Sequence, residues 1–180
     1  MATSEHAVKF ELELFPGSSV YIALFKDVKN SEELKKNIMA GEIDAVLLSP
    51  KMIVDPFQLL VAANKALHIK KNGLKMSTRN VNTEVLFNLS PTRNISASFK
   101  RFGLSKEDSG LVVVTLEDDS GEKVNAVERL VQGDIVPLDE LSNFNDYSLI
   151  KQVYKVDGEE LGVCSLLDAV VSRMATKDAL

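Results

Sequence analysis

Two histidines and one cysteine limit the chemistry open to this 180-residue chain. His6 falls in an N-terminal stretch expected to fray, so His68 is the only credible general base. Acid–base catalysis needs a partner within hydrogen-bond reach of that ring, and a lone helical histidine is more commonly a surface residue. The sequence holds no Gly-rich loop ending in Lys-Ser or Lys-Thr, no His-Glu-x-x-His and no Gly-x-Ser-x-Gly. Cys164, standing alone, excludes an intramolecular disulfide and offers no thiolate set for a metal. Glu117, Asp118 and Asp119 lack the alternating ligand spacing of a calcium loop and read as a solvated hairpin tip. Asn88-Leu89-Ser90 and Asn94-Ile95-Ser96 match the glycosylation pattern only by accident, given no secretion signal. No catalytic residue, metal site or cofactor is expected.

Charge gives the sharper signal. Between Pro56 and Lys106, nine Lys or Arg residues face one acid, Glu84, a local net of +8 in a chain whose total is −5. The flanks are acidic, at −3 over residues 1–55 and −10 over residues 107–180. A basic centre in an acidic protein predicts a docking surface. The candidate cations are Lys65, His68, Lys70, Lys71, Lys75 and Arg79. Such side chains meet phosphate oxygens, release counterions and bind RNA without reading its sequence. A solvated basic face is the plainer reading, but the near absence of acids over so long a stretch favours an anion or RNA.

Positioning these residues falls to a domain of ordinary composition, 45% hydrophobic and 26% charged. One domain spanning residues 1–180, with a proper core, is expected. No apolar run approaches a membrane span and residues 1–20 lack a secretion signal, so an intracellular chain without membrane contact is expected. Val8 to Leu14 alternates apolar and polar residues as a half-buried strand does, and Val20 to Phe25 completes a hairpin. Ser31 opens a helix that ends at Gly41, and Ile43 to Leu48 is a short apolar run. Asp55-Pro56 starts a long helix, with Gly73 in the left-handed position after it. Thr83 to Leu89 reads as a central strand by its apolar density. Asn94 caps a helix over 95–102, and Leu111 to Leu116 is a strand covered on both faces. Helices over 124–132, 137–141 and 146–154 follow, then a last one from Glu160 to Met174 and a polar tail. The fold class is α+β, a compact domain with a mainly antiparallel central sheet flanked by several helices.

Two of these helices carry more apolar surface than one core contact requires. In the last, Ser165, Asp168 and Ser172 share a narrow stripe while Leu166, Leu167, Val170 and Met174 help to fill the rest. In the helix after Asp55, Gln58, Val61, Lys65 and His68 form the open stripe. Both readings stand at this point: a helix sandwiched inside its own domain, or one with a face left for another protein.

A family resemblance covers nearly the whole chain in order and spacing. Leu14-Phe15-Pro16, Leu24-Phe25-Lys26-Asp27-Val28-Lys29-Asn30, Val54-Asp55-Pro56-Phe57-Gln58, Val61-Ala62-Ala63-Asn64-Lys65-Ala66 and Phe87-Asn88-Leu89-Ser90-Pro91 carry it. So does the ending Leu166-Leu167-Asp168-Ala169, Arg173-Met174, Thr176-Lys177-Asp178. The chain resembles the TPRKB family, kinase-binding subunits of the KEOPS (EKC) complex, and 84–103 resembles a wider pattern that includes archaeal members. The resemblance implies a non-catalytic subunit of a complex that helps place a threonylcarbamoyl group on the adenosine next to the anticodon of tRNAs reading ANN codons. It implies binding to the complex's small atypical kinase and, through it, to the threonylcarbamoyl transferase subunit, in cytoplasm and nucleus. Archaeal relatives bind the 3′ CCA end of tRNA, so tRNA is a possible partner. The expected kinase contacts are Asp55, Pro56 and Phe57 with Leu166, Leu167, Val170 and Met174. Two other classes remain: a protein-only scaffold without RNA contact, and an enzyme using His68 with Glu84.

Overall fold

Ser19–Lys26 (β2) and Leu111–Leu116 (β4) are long apolar stretches, and they lie side by side in the sheet. The computed structural model describes residues 6–179. Its strands run β1 (Val8–Glu11), β2, β4, β3 (Val46–Leu48), with β5 (Asp134–Val136) paired to the far end of β2. Every pairing between these strands is antiparallel, in keeping with the α+β expectation.

The register from Val20↔Leu116 to Phe25↔Leu111 sorts the side chains onto two faces. Val20, Ile22, Leu24, Val112 and Val114 meet α2 (Pro56–Lys71), α3 (Val81–Leu89), Phe102 of α4 (Ile95–Phe102), α6 (Tyr147–Tyr154) and α7 (Leu166–Thr176). Tyr21, Ala23, Phe25, Leu111 and Val113 meet Leu34 of α1 (Ser31–Ala40) and Val124 and Val127 of α5 (Glu122–Glu128). With both faces covered, the strands need no polar alternation, and β4 is buried at all of its positions. The edge at β3 is closed by a bridge from Leu48 to Gly103. Only glycine fits there, because a Cβ would sit 2.6 Å from the Phe99 carbonyl oxygen.

Capping decides where α2 lies. The Asp55 carboxylate accepts the Phe57 N–H at 2.8 Å, Pro56 fills the first turn, and Gly73 takes φ +63° beyond the last. The same kind of signal overturns the expected strand at Thr83–Leu89, which is helix α3. Asn80 and Thr83 form a reciprocal capping box, with bonds of 2.9 and 3.2 Å. Glu84, Val85, Asn88 and Leu89 are the buried set along with Phe87, a helical spacing that apolar density alone conceals.

The expected helix over 160–174 is likewise divided. A 3-10 turn spans Glu160–Gly162, and Ser165 then caps α7 through its own capping box with Asp168. The polar tail expected after it is not free: α7 continues to Thr176 and Lys177 is buried. The acidic turn is also more than a solvated tip, since buried Asp118 accepts the Thr115 hydroxyl at 2.9 Å and the Val124 N–H at 3.0 Å.

Candidate docking and anion-contact surfaces

α2 and α7 pack against each other in one layer, so the two apolar sets singled out from sequence share a side of the molecule. Phe57 is 52% exposed on the first turn of α2, with Asp55 and Pro56 half-buried beside it. On α7, Leu166 and Leu167 are half-open, whereas Val170 and Met174 are enclosed in the chain's own core. Those two side chains hold the domain together and present nothing outward. Gln58, expected on the open stripe of α2, is fully buried. Its amide donates to the Met52 carbonyl at 3.2 Å and the Tyr154 hydroxyl at 3.1 Å, and it accepts the Val54 N–H at 2.8 Å. Burial pushes the Tyr154 phenol far above its ordinary value, so it stays a donor, to the Leu89 carbonyl.

The structure adds an apolar residue that helical periodicity misplaced. Val163, between the 3-10 turn and α7, is 87% exposed. Its segment is held rather than loose: Arg173 grips Glu160 through two bonds of 2.6 Å and donates to the Lys155 carbonyl at 3.1 Å. The Glu160 carboxylate raises the Arg173 pKa further, which keeps the clamp charged. Tyr147 and Leu149 of α6, in the same layer, are exposed too. The hydroxyl cap at Ser165 with an acid three residues on was the available signal that the helix starts later and leaves Val163 outside it.

The basic centre is less bare in three dimensions than in one. Lys65 pairs with Asp178, and Lys70 pairs with Glu117. Lys71 stands 3.9 Å from Glu117 and 5.2 Å from the centre of the Phe15 ring. His68 is exposed and shares its turn with Asn72, whose amide donates to the His68 carbonyl at 2.8 Å. Lys75 and Arg79, with Lys100 and Arg101 of α4, are exposed and make no ion pair among the described residues. Arg79 borders a groove of about 330 Å³ whose walls include Ser77, Thr78, Thr83, Ile95 and Phe99. Glu84 fixes the loop that carries Arg79: its buried carboxylate accepts the Thr78 N–H at 2.9 Å, the Thr78 hydroxyl at 2.7 Å and the Ser77 N–H at 3.2 Å. His68 and Glu84 therefore have separate, structural surroundings. Among the described residues no group of three or more His, Cys, Asp or Glu is placed to hold a metal ion.

An α+β domain with outward apolar side chains on one helical layer, and a groove bordered by Arg79, has the surfaces of the docking class of protein. Residues 25–178 match the family described as kinase binding protein CGI-121. The zebrafish EKC/KEOPS complex subunit TPRKB is 45% identical over 169 residues, covering 93% of this chain and 96% of the relative. The EKC/KEOPS complex subunit cgi121 of Aspergillus fumigatus is 31% identical over 172 residues, covering 87% and 90%. That of Schizosaccharomyces pombe is 26% identical over 170 residues, covering 90% and 97%. The chain belongs to the kinase-binding protein CGI-121 family.

Proposed function

We propose that this chain is the non-catalytic, kinase-binding subunit of an EKC/KEOPS complex, working in cytoplasm and nucleus. It docks on the small atypical kinase through the apolar side chains of the α2–α6–α7 layer. Through the kinase it joins the transferase that makes threonylcarbamoyladenosine in tRNA. The observation that carries this reading is the outward setting of Phe57 and Val163, with Tyr147 and Leu149 exposed beside them, on a layer whose sheet-facing apolar residues are enclosed. Interfaces concentrate their energy in a few such residues, with Leu166 and Leu167 as their half-open neighbours.

The test is co-purification with the kinase. Phe57→Asp and Val163→Asp each place a charge where partner surface must close, and that costs binding without touching the core. Loss of the kinase with an unchanged melting curve is the expected result. Undiminished co-purification of the double variant would overturn the assignment of this surface.

tRNA recruitment is the second half of the proposal. Lys75 and Arg79, which make no ion pair among the described residues, carry it, with the groove lined by Ile95 and Phe99 available to an unstacked base. Lys65, His68, Lys70 and Lys71 add to the field around it. A protein-only scaffold is favoured by one observation, that Lys65 and Lys70 already have acidic partners. A Lys75→Glu/Arg79→Glu chain separates the two: tRNA affinity and its salt slope both fall if RNA is a ligand.

A further inference from the structure

Lys177 and Asp178 follow α7, and both turn back across the helical layer. Lys177 is only 3% exposed. Its ammonium donates to the Phe87 carbonyl in the last turn of α3 and lies 3.6 Å from the centre of the Phe87 ring. A helix C-terminal carbonyl and an aromatic face there replace only part of the water that the charge has lost. Asp178 points to other cations. Its carboxylate pairs with Lys65 of α2 and stands 3.8 Å from Arg93 Nε, while Arg93 Nη2 donates to the Asp178 backbone carbonyl. Two adjacent residues thus tie the end of α7 to α2, α3 and the loop before α4.

We propose that Lys177 and Asp178 form an autoinhibitory latch, in which Asp178 neutralises Lys65 and Arg93 and withholds both from RNA phosphates until the segment after α7 lets go. The proposal rests on the RNA reading above and adds its regulation. The Asp178 pairs are open to solvent and therefore individually weak. Lys177 opposes closure at neutral pH. Burial comes first, then Lys65 and Arg93, and these outweigh Asp178 and Glu84, so its pKa falls from 10.5 to about 8. The groups facing it are therefore Lys65 on α2, Glu84 on α3, Arg93 before α4 and Asp178 beside it.

The sign follows from linkage. A lysine with a lowered pKa binds its proton less well in the latched form, so the latch is loosest below pH 8 and tightens as pH rises from about 8 towards 10.5. Between pH 7 and 9 the closed-to-open ratio grows about tenfold. At the acid end, the bond from Lys65 holds the Asp178 carboxyl below its ordinary range, and closure fails as pH drops through that value.

The test reads amide exchange over residues 174–179, corrected for intrinsic rates, beside tRNA binding at fixed salt. Asp178→Asn speeds exchange and tightens tRNA binding by about threefold or more, with a steeper salt slope. Asp119→Asn, which removes the same charge from an exposed turn, changes neither to that extent. Lys65→Gln added to Asp178→Asn cancels most of the gain. Lys177→Met slows exchange and abolishes its change between pH 7 and 9. Wild-type exchange in Asp178→Asn, or a tRNA gain no larger than that of Asp119→Asn, overturns the latch while leaving the RNA reading intact. Exchange that responds as stated with no tRNA binding by any variant sinks the RNA reading, and the masking of RNA with it.

Discussion

Along α2 the chain buries Leu59, Ala62, Ala63, Ala66 and Leu67 together with Gln58, whereas along α7 only Ala169, Val170 and Met174 are enclosed. Leu166, Leu167 and Val171 of α7 stay half-open. From composition the two helices look alike. Their neighbours separate them: α2 packs on both α3 and α7 above the sheet, while α7 lies against α2 and α6. An apolar circumference therefore measures how many elements surround a helix, and on α2 those elements belong to this chain. On α7 part of that surface remains for something else.

The largest expected effect breaks this comparison within one helix. Val170→Asp buries an unpaired carboxylate and should destabilise the domain by on the order of 4 kcal/mol or more, which a denaturant titration reads directly. Leu167→Asp, one turn position away, leaves the midpoint near wild type and removes the kinase from a pull-down. Equal loss of stability in both would mean that α7 has no open face. On α2 the matching pair is Leu59→Ala, costing about 2–5 kcal/mol through the cavity it leaves, and Phe57→Ala, within about 0.5 kcal/mol of wild type. A Phe57→Ala chain as unstable as Leu59→Ala would show that this side chain is core after all.

A smaller effect is expected where polar groups, not apolar ones, fix the layer. Tyr154 joins α6 to α2 and α3 through Gln58 and the Leu89 carbonyl, with Phe102 edge-on at 6.2 Å between ring centres. Tyr154→Phe keeps the packing but removes the buried bonds to the Leu89 carbonyl and to one Gln58 N–H, a cost of about 1–3 kcal/mol in thermal or chemical unfolding.

Much of this was legible in the sequence, for identifiable reasons. The strands at 20–25 and 111–116, the Asp55-Pro56 helix start, Gly73 and the Asn94 cap all announce themselves through local chemistry that tertiary packing did not override. The helix at 81–89 was missed because its capping box, Asn80 with Thr83, is less conspicuous than the run Val85-Leu86-Phe87. Charge was misjudged for a different reason. Sequence windows contain neighbours along the chain only, and the acids that meet Lys70 and Lys65 arrive from Glu117 and Asp178. The Ser165 cap marks locally that α7 starts after Val163, but the Arg173–Glu160 clamp that holds that segment is a contact no local pattern encodes.

The smallest effect compares how the two helices begin. Ser165 accepts the Asp168 N–H at 3.1 Å and donates its own N–H back at 3.3 Å, so Ser165→Ala dismantles a reciprocal cap. Asp55→Ala loses a single bond, to Phe57, because Pro56 has no N–H to satisfy. Both should cost about 1 kcal/mol, a fall of a few degrees in Tm. They should differ in what else is lost. The first turn of α2 is pinned by buried Gln58 and Leu59, so Asp55→Ala leaves Phe57 in place. The first turn of α7 carries the half-open Leu166 and Leu167, and its buried anchor is the small Ala169. Ser165→Ala should therefore speed dissociation of the kinase severalfold at a stability cost that Asp55→Ala matches without that change. Identical dissociation rates would place the working contact on α2 alone.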